Sequence, residues 1–198
     1  MLGCRDVEAH ARIYLGMARI GLRDLAGFED LRIAIDRAQQ LDHGDYLCRA
    51  AMNVAVAMIW LGRHPETSKY LDIAENAARE HGLDYLLFHA LAQRSHVDLY
   101  LGNWDEAERR LRRQVGNDRD PAAVQVLPLA LLGRLLARRG KAAAGDLATR
   151  SWEIATHSRQ VHRIAIAGGA VIEQAWLRGD SETVRAVGER LPLCVRLR

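Results

Sequence analysis

Five glycines, Gly21, Gly62, Gly102, Gly140 and Gly179, stand 41, 40, 38 and 39 residues apart. Each closes an apolar run and precedes another: ARIG, WLG, YLG, ARRG and WLRG. A constant period near 40 constrains a chain more than its composition does, because it implies one supersecondary unit copied in line, each copy burying its apolar face against the next. Within each period the apolar residues recur at three- and four-residue spacing. Leu47, Ala51, Val54, Ala55, Met58 and Ile59 form such a stripe before Gly62, and Tyr70, Leu71, Ile73, Ala74 and Ala77 form another after it. That is the period of a helix face, so each copy reads as two helices joined at its glycine.

The repeats fall at about 5–43, 44–82, 83–119, 120–158 and 159–191, and one array covers 1–198 as a single domain. The tail Pro192–Arg198 is apolar but too short for another copy. Two second helices run into His-Gly, at His43-Gly44 and His81-Gly82, and Asp-Tyr-Leu follows both. We expect glycine to supply the left-handed residue that stops each helix and aspartate to cap the next. Pro65 suits a first helical turn, whereas Pro128 lies inside an apolar helical run and marks either a kink or a late helix start. The helix from Trp104 opens with Asp105, Glu106 and Glu108 and closes with Arg109, Arg110, Arg112 and Arg113, the order the helix dipole prefers.

The segment Gly102-x-Trp104-x-x-Ala107-x-x-x-Leu111 resembles the second-helix motif of a tetratricopeptide repeat, in which a small residue lets two helices approach while larger ones fill the seam. Gly62, Thr67, Leu71 and Ala74 follow the motif more loosely, and the other copies keep only the glycine. The resemblance implies an all-α, right-handed superhelical solenoid of about five tetratricopeptide-like helix pairs, with longer helices than the usual 34-residue repeat allows. The texture is similar to the repeat regions of bacterial ATP-dependent transcriptional regulators of the LuxR or MalT type. It therefore implies a non-enzymatic protein-interaction or ligand-sensing scaffold within a signalling or transcription regulator. The ATPase of such proteins is not encoded here: the one Gly-Lys pair, Gly140-Lys141, is followed by Ala142, with Leu135 where a P-loop needs its first glycine. No polar recognition helix stands at the C-terminus, so we expect a repeat segment of a larger protein.

The same resemblance places a binding groove on the first helix of each pair, at 13, 10, 6, 3 and 2 residues before each glycine. Counting back selects Arg49 and Trp60, then His89, His96 and Tyr100, then Arg134 and Arg138, and finally Glu173 and Trp176. Arginines, histidines and aromatics together suit a protein or peptide partner of acidic character, or one bearing a C-terminal carboxylate.

Other readings carry less. No nucleophile and base stand at catalytic spacing, and acidic residues read as solvating charge along helix faces, so no enzyme and no cofactor are expected. Histidines invite a metal, but His89 and His96 lie seven apart with no further ligands, so none is expected. Three widely spaced cysteines, Cys4, Cys48 and Cys194, argue against a disulfide framework and for a reducing cytoplasm. The N-terminus lacks a signal-peptide core and no stretch is long and apolar enough to span a membrane. The net charge is +3. Acidic residues precede the cluster Arg109–Arg113 and no aromatics interleave with Arg134, Arg138 and Arg139, which argues against direct nucleic-acid contact. Two alternatives stay open: an oligomerisation element without a groove, acting through self-association, and an accessory nucleic-acid-binding module.

Overall fold

A computed structural model of the chain describes residues 3–116 and 122–191, and it contains ten helices and no strand among them. The protein is all-α. The tail from Pro192 and residues 117–121 lie outside the described residues. The helices group into two compact units, Met1–Leu101 and Gly102–Arg198.

The first unit holds α1 (Gly3–Gly21), α2 (Gly27–Gln40), α3 (Gly44–Trp60), α4 (His64–Glu80) and α5 (Asp84–Leu101). Each helix packs on the next, and α1, α3 and α5 also pack in sequence on one another. The pattern of burial follows from that. α3 is enclosed from several sides and buries Cys48, Ala50, Ala51, Val54, Ala55, Ala57, Met58 and Ile59, whereas α4 shows one stripe, Thr67, Leu71, Ala74, Ala77 and Ala78. Small residues dominate these seams, so the helices approach closely. At the α1–α2 crossing the two backbones come close: a Cβ on Gly27 would stand 2.3 Å from the Gly16 carbonyl oxygen.

The second unit holds α6 (Trp104–Val115), α7 (Ala122–Arg138), α8 (Ala144–Ser158), α9 (Val161–Leu177) and α10 (Ser181–Arg190). α7 touches α6, α8 and α9, and from Val124 to Leu136 only Arg134 escapes full burial. Leu129, Leu131, Leu135 and Leu136 are fully enclosed, each contributing about 2 kcal/mol by removal from water. The surrounding contacts also explain why α7 shows little one-sided patterning. The helix starts at Ala122 and runs through Pro128, so Pro128 marks no late start, and its ring packs fully buried. α6 is the opposite case. Only Ala107, Leu111 and Gln114 are buried, a single stripe on a helix whose other residues are mostly charged.

Left-handed residues punctuate both units at a constant interval. Arg23, Asp42, Gly62, Gly82 and Gly102 have positive φ, at steps of 19 or 20 residues, and Gly140, Arg159 and Gly179 repeat the interval in the second unit. After six of them the next N–H reaches back five residues: Asp24 to Arg19, His43 to Ala38, Arg63 to Met58, Leu83 to Ala78, Lys141 to Leu136 and Asp180 to Ala175, each at 2.8–2.9 Å. This corrects two of the expected stops. Gly21 is still helical, and the left-handed residue is Arg23. At His43-Gly44 the stop is Asp42. Gly44 instead begins α3, buried so closely under the His81 ring that a Cβ would lie 2.2 Å from it. His43 is the N-cap of α3, its Nδ1 accepting the Tyr46 N–H at 3.4 Å, while Asp180 caps α10 by accepting the Thr183 N–H at 3.0 Å.

Candidate interaction surface

In the first unit the selected residues lie on α3 and α5, which pack on each other. Arg49 is half-exposed on α3, and its Nε donates to Asp45 Oδ1 at 2.7 Å, one helical turn back. Trp60 ends α3 with 60% of its surface exposed, and the exposed Leu61 follows it. On α5, His89 meets the Tyr85 ring edge-on at 4.7 Å, and His96 meets Tyr100 at 5.3 Å. Tyr100 is exposed and stacks flat on His64, the first residue of α4, with centroids 4.4 Å apart and planes 11° from parallel.

His64 was not selected from the sequence, and neither was a second ring cluster at α1 and α3. There His43 stacks on Tyr46 at 3.7 Å, His10 stacks on the same ring at 5.0 Å, and Tyr14 meets His10 edge-on at 5.0 Å. Asp6 Oδ1 lies 3.8 Å from His43 Nε2. The one visible signal was His10 and Tyr14, four residues apart and so on one helix face. Contacts such as His64 with Tyr100 depend on how neighbouring helices are rotated, which spacing does not encode. Burial lowers the pKa of His64, and its Nδ1 is buried with no hydrogen-bond partner, so this ring acts as a neutral shelf for Tyr100.

In the second unit Arg134 and Arg138 point at one carboxylate, and that geometry changes what they offer. Arg134 Nε donates to Glu173 of α9 at 2.6 Å, and Arg138 Nε donates to the other oxygen of the same group. Burial alone would raise the Glu173 pKa, but the two guanidiniums outweigh it and hold the carboxyl below its ordinary range. Trp176, near the end of α9, is 71% exposed. A separate, mostly apolar cleft of about 310 Å³ lies among α6, α7 and α8, lined by Val115, Leu132, Leu136 and Leu147 with Arg112 and Asp146.

The Glu173 arrangement recurs. Asp30, 4% exposed, accepts from Arg12 and Arg19 of α1 at 2.8 and 2.6 Å. Glu75 is buried between Arg79 and Arg94, and Glu108 accepts from Arg112 and Arg139. These acids are therefore not solvating charge. Each is gripped by two arginines and ties neighbouring helices together. Arg109 and Arg110 both pair with Glu106.

The remaining chemistry is inert or scattered. Burial pushes the Cys48 thiol up to about 11, so it stays protonated at neutral pH. Ser151 is buried and donates to the Val126 carbonyl at 2.8 Å. Among the described residues no three His, Cys, Asp or Glu side chains gather as metal ligands, and no helix is long and apolar enough to cross a membrane. Compared with known proteins, the sequence matches no family model and no curated protein.

Proposed function

We propose that the chain is a non-enzymatic, cytoplasmic scaffold that binds a protein or peptide, built as a right-handed solenoid of tetratricopeptide-like helix pairs. By the resemblance of its repeats, we place it as the repeat portion of a bacterial signalling or transcription regulator of the LuxR or MalT type. The observation that carries the reading is the packing order. Within each unit the odd-numbered helices pack in series, α1 on α3 on α5 and α7 on α9, with the even-numbered helices packed beside them. In the first unit the series α1, α3 and α5 carries exposed and half-exposed side chains in a row, which is how a helix-pair stack reads an extended partner.

The selected side chains on those helices support a partner of mixed apolar and acidic character. Trp60, Tyr100 and Trp176 offer exposed aromatic surface, Arg49 and His89 offer hydrogen-bond donors on the same helices as the first two, and His96 lies against Tyr100. Arg134 and Arg138 both grip the Glu173 carboxylate, so this pair is engaged within the unit. The test is direct binding. A fluorescent peptide carrying acidic residues and a free C-terminal carboxylate is expected to bind the chain, and Trp60→Ser with Tyr100→Ser to weaken it at least tenfold, as loss of two aromatic anchors should. Unchanged affinity in that double variant would sink the reading.

One observation favours self-association as a second reading. Exposed aromatic-leucine pairs, Trp60-Leu61, Tyr100-Leu101 and Trp176-Leu177, stand at the ends of α3, α5 and α9. Sedimentation of the chain at micromolar concentration tests it, since a strict monomer excludes it. The arginine clusters offer less support for nucleic-acid binding, because Arg109, Arg110, Arg112 and Arg139 all meet carboxylates.

A further inference from the structure

The two units carry opposite charge. Residues 1–101 hold 14 acidic against 11 basic side chains, a net charge of −3, whereas residues 102–198 hold 17 basic against 11 acidic, a net charge of +6. Many of these charges cancel inside their own unit, in the ion pairs already described. The surplus shows at one kind of place, the junction where an even-numbered helix ends and an odd-numbered one begins.

In the first unit two such junctions stand side by side. His81, just past the end of α4, lies over Gly44 at the start of α3 and 3.8 Å from Asp42. The Asp42 carboxylate is otherwise open to solvent, with 96% of its side chain exposed. Glu80 and Asp84 flank the second junction, both exposed and with no ion pair among the described residues, and the half-exposed Tyr85 ring follows them. The cations close by are engaged, Arg49 with Asp45 and Arg79 with Glu75.

The equivalent junction in the second unit, between α8 and α9, has the opposite sign. Arg159 occupies the left-handed position that Asp42 holds in the first unit, at φ 53° against 49°. Arg159 is exposed, Arg163 follows in the first turn of α9, and the half-exposed Val161 lies between them. Arg190, ending α10, stands over the Trp152 ring at 5.6 Å. None of these three arginines meets a carboxylate among the described residues, and the acids on adjoining turns, Glu153 and Glu189, are fewer.

We propose that copies of this chain associate through these ends, the acidic junctions of one copy's first unit seated on the basic junction of another copy's second unit. The proposal rests on the self-association reading above and names the surfaces that meet. A second copy is the occupant because the chain itself carries both signs, each at the same structural position. Each end also sets an exposed apolar residue, Tyr85 or Val161, amid its charges. Such a charged rim fixes partner and register, and the apolar residues inside it leave water on contact. Two first-unit ends repel, as do two second-unit ends, so the charges select unlike units.

Sedimentation equilibrium on the full chain at micromolar concentration tests this, in dilute buffer and at about 0.5 M salt, where screening acts within about 4 Å. Wild type is expected to associate in dilute buffer and to weaken about tenfold in salt. Two variants exchange the residues of the junctions: Asp42→Arg with Asp84→Arg makes the first end basic, and Arg159→Asp with Arg163→Glu makes the second acidic. Each alone is expected to be monomeric, because its two ends then carry one sign, and an equimolar mixture to regain the wild-type association. A monomeric wild type in dilute buffer overturns this contact and the self-association reading together. Association indifferent to salt, or to both exchanges, overturns the contact and leaves self-association standing. A mixture that stays monomeric also overturns it when circular dichroism shows both variants helical; if either is unfolded, the wild-type response to salt decides.

Discussion

The two units share an architecture and differ in what occupies their seams. All five tyrosines and six of the eight histidines lie before residue 102, and three of the four tryptophans lie after it. The first unit closes over small residues, with close helix crossings such as Gly16–Gly27, and places flat rings where its helices meet at the surface. The second closes around α7, an aliphatic helix enclosed on nearly every side. An enclosed leucine core yields stability and leaves little chemistry exposed. A thin, small-residue seam yields less burial for each residue but leaves rings and imidazoles on the outside, where a partner can use them.

If that contrast holds, substitutions should sort by unit. The largest effect belongs to the aliphatic helix. Leu135→Ala should lower stability by about 3 kcal/mol, with a loss of amide-exchange protection concentrated in α7, α8 and α9. An equal loss in α1–α3 would break the contrast. Next comes Glu173→Gln, which leaves two guanidiniums beside a neutral amide; because the group keeps some solvent contact, we expect about 2 kcal/mol by urea denaturation.

The same residue sets a pH dependence. Its folded-state pKa lies below the ordinary 4.5, so its stabilisation is full above that value and is lost as the pH falls through the folded value. Acid denaturation of the second unit, followed by tryptophan fluorescence, should accordingly be shallower in Glu173→Gln than in wild type.

Smaller effects sharpen the picture of the first unit. His43→Ala should cost about 1 kcal/mol through loss of the α3 cap, and His43→Asn, which caps equally well, should cost much less. Thermal melts of the pair separate capping from the ring contact with Tyr46, because asparagine restores only the first. Effects of equal or smaller size lie at the left-handed stops. Gly62→Ala should destabilise by about 1 kcal/mol, and Arg159→Gly should be neutral or stabilise by about 0.5 kcal/mol, both by melting temperature.

Much of this fold was legible, for a physical reason: helix ends are set by local chemistry. The period of the glycines led to ten helices, and their approximate bounds follow from the apolar spacing. The stops that misled are those where another residue takes the glycine's conformation. Asp42 can, because a short polar side chain tolerates the left-handed region, and its neighbour Gly44 was conspicuous for a different reason, the close approach of His81. Sites were less legible. Counting back from the glycines put Arg134, Arg138 and Glu173 at matching positions on two helices, and those positions do meet. What the counting missed is that an acid and two bases at matching positions satisfy one another before any partner arrives. The ring contacts of His64 and Tyr46 were illegible for a further reason: they need the rotation of each helix, and no periodic pattern carries it.

The constant interval between left-handed stops has a consequence for how such a chain can change. The segment from Asp42 to Gly82 carries two helices, and its ends have the same backbone conformation and the same five-back hydrogen bond. Duplicating or excising that segment rejoins the chain at an equivalent junction. The length of the first unit is thus adjustable in whole steps of about 40 residues, one helix pair at a time.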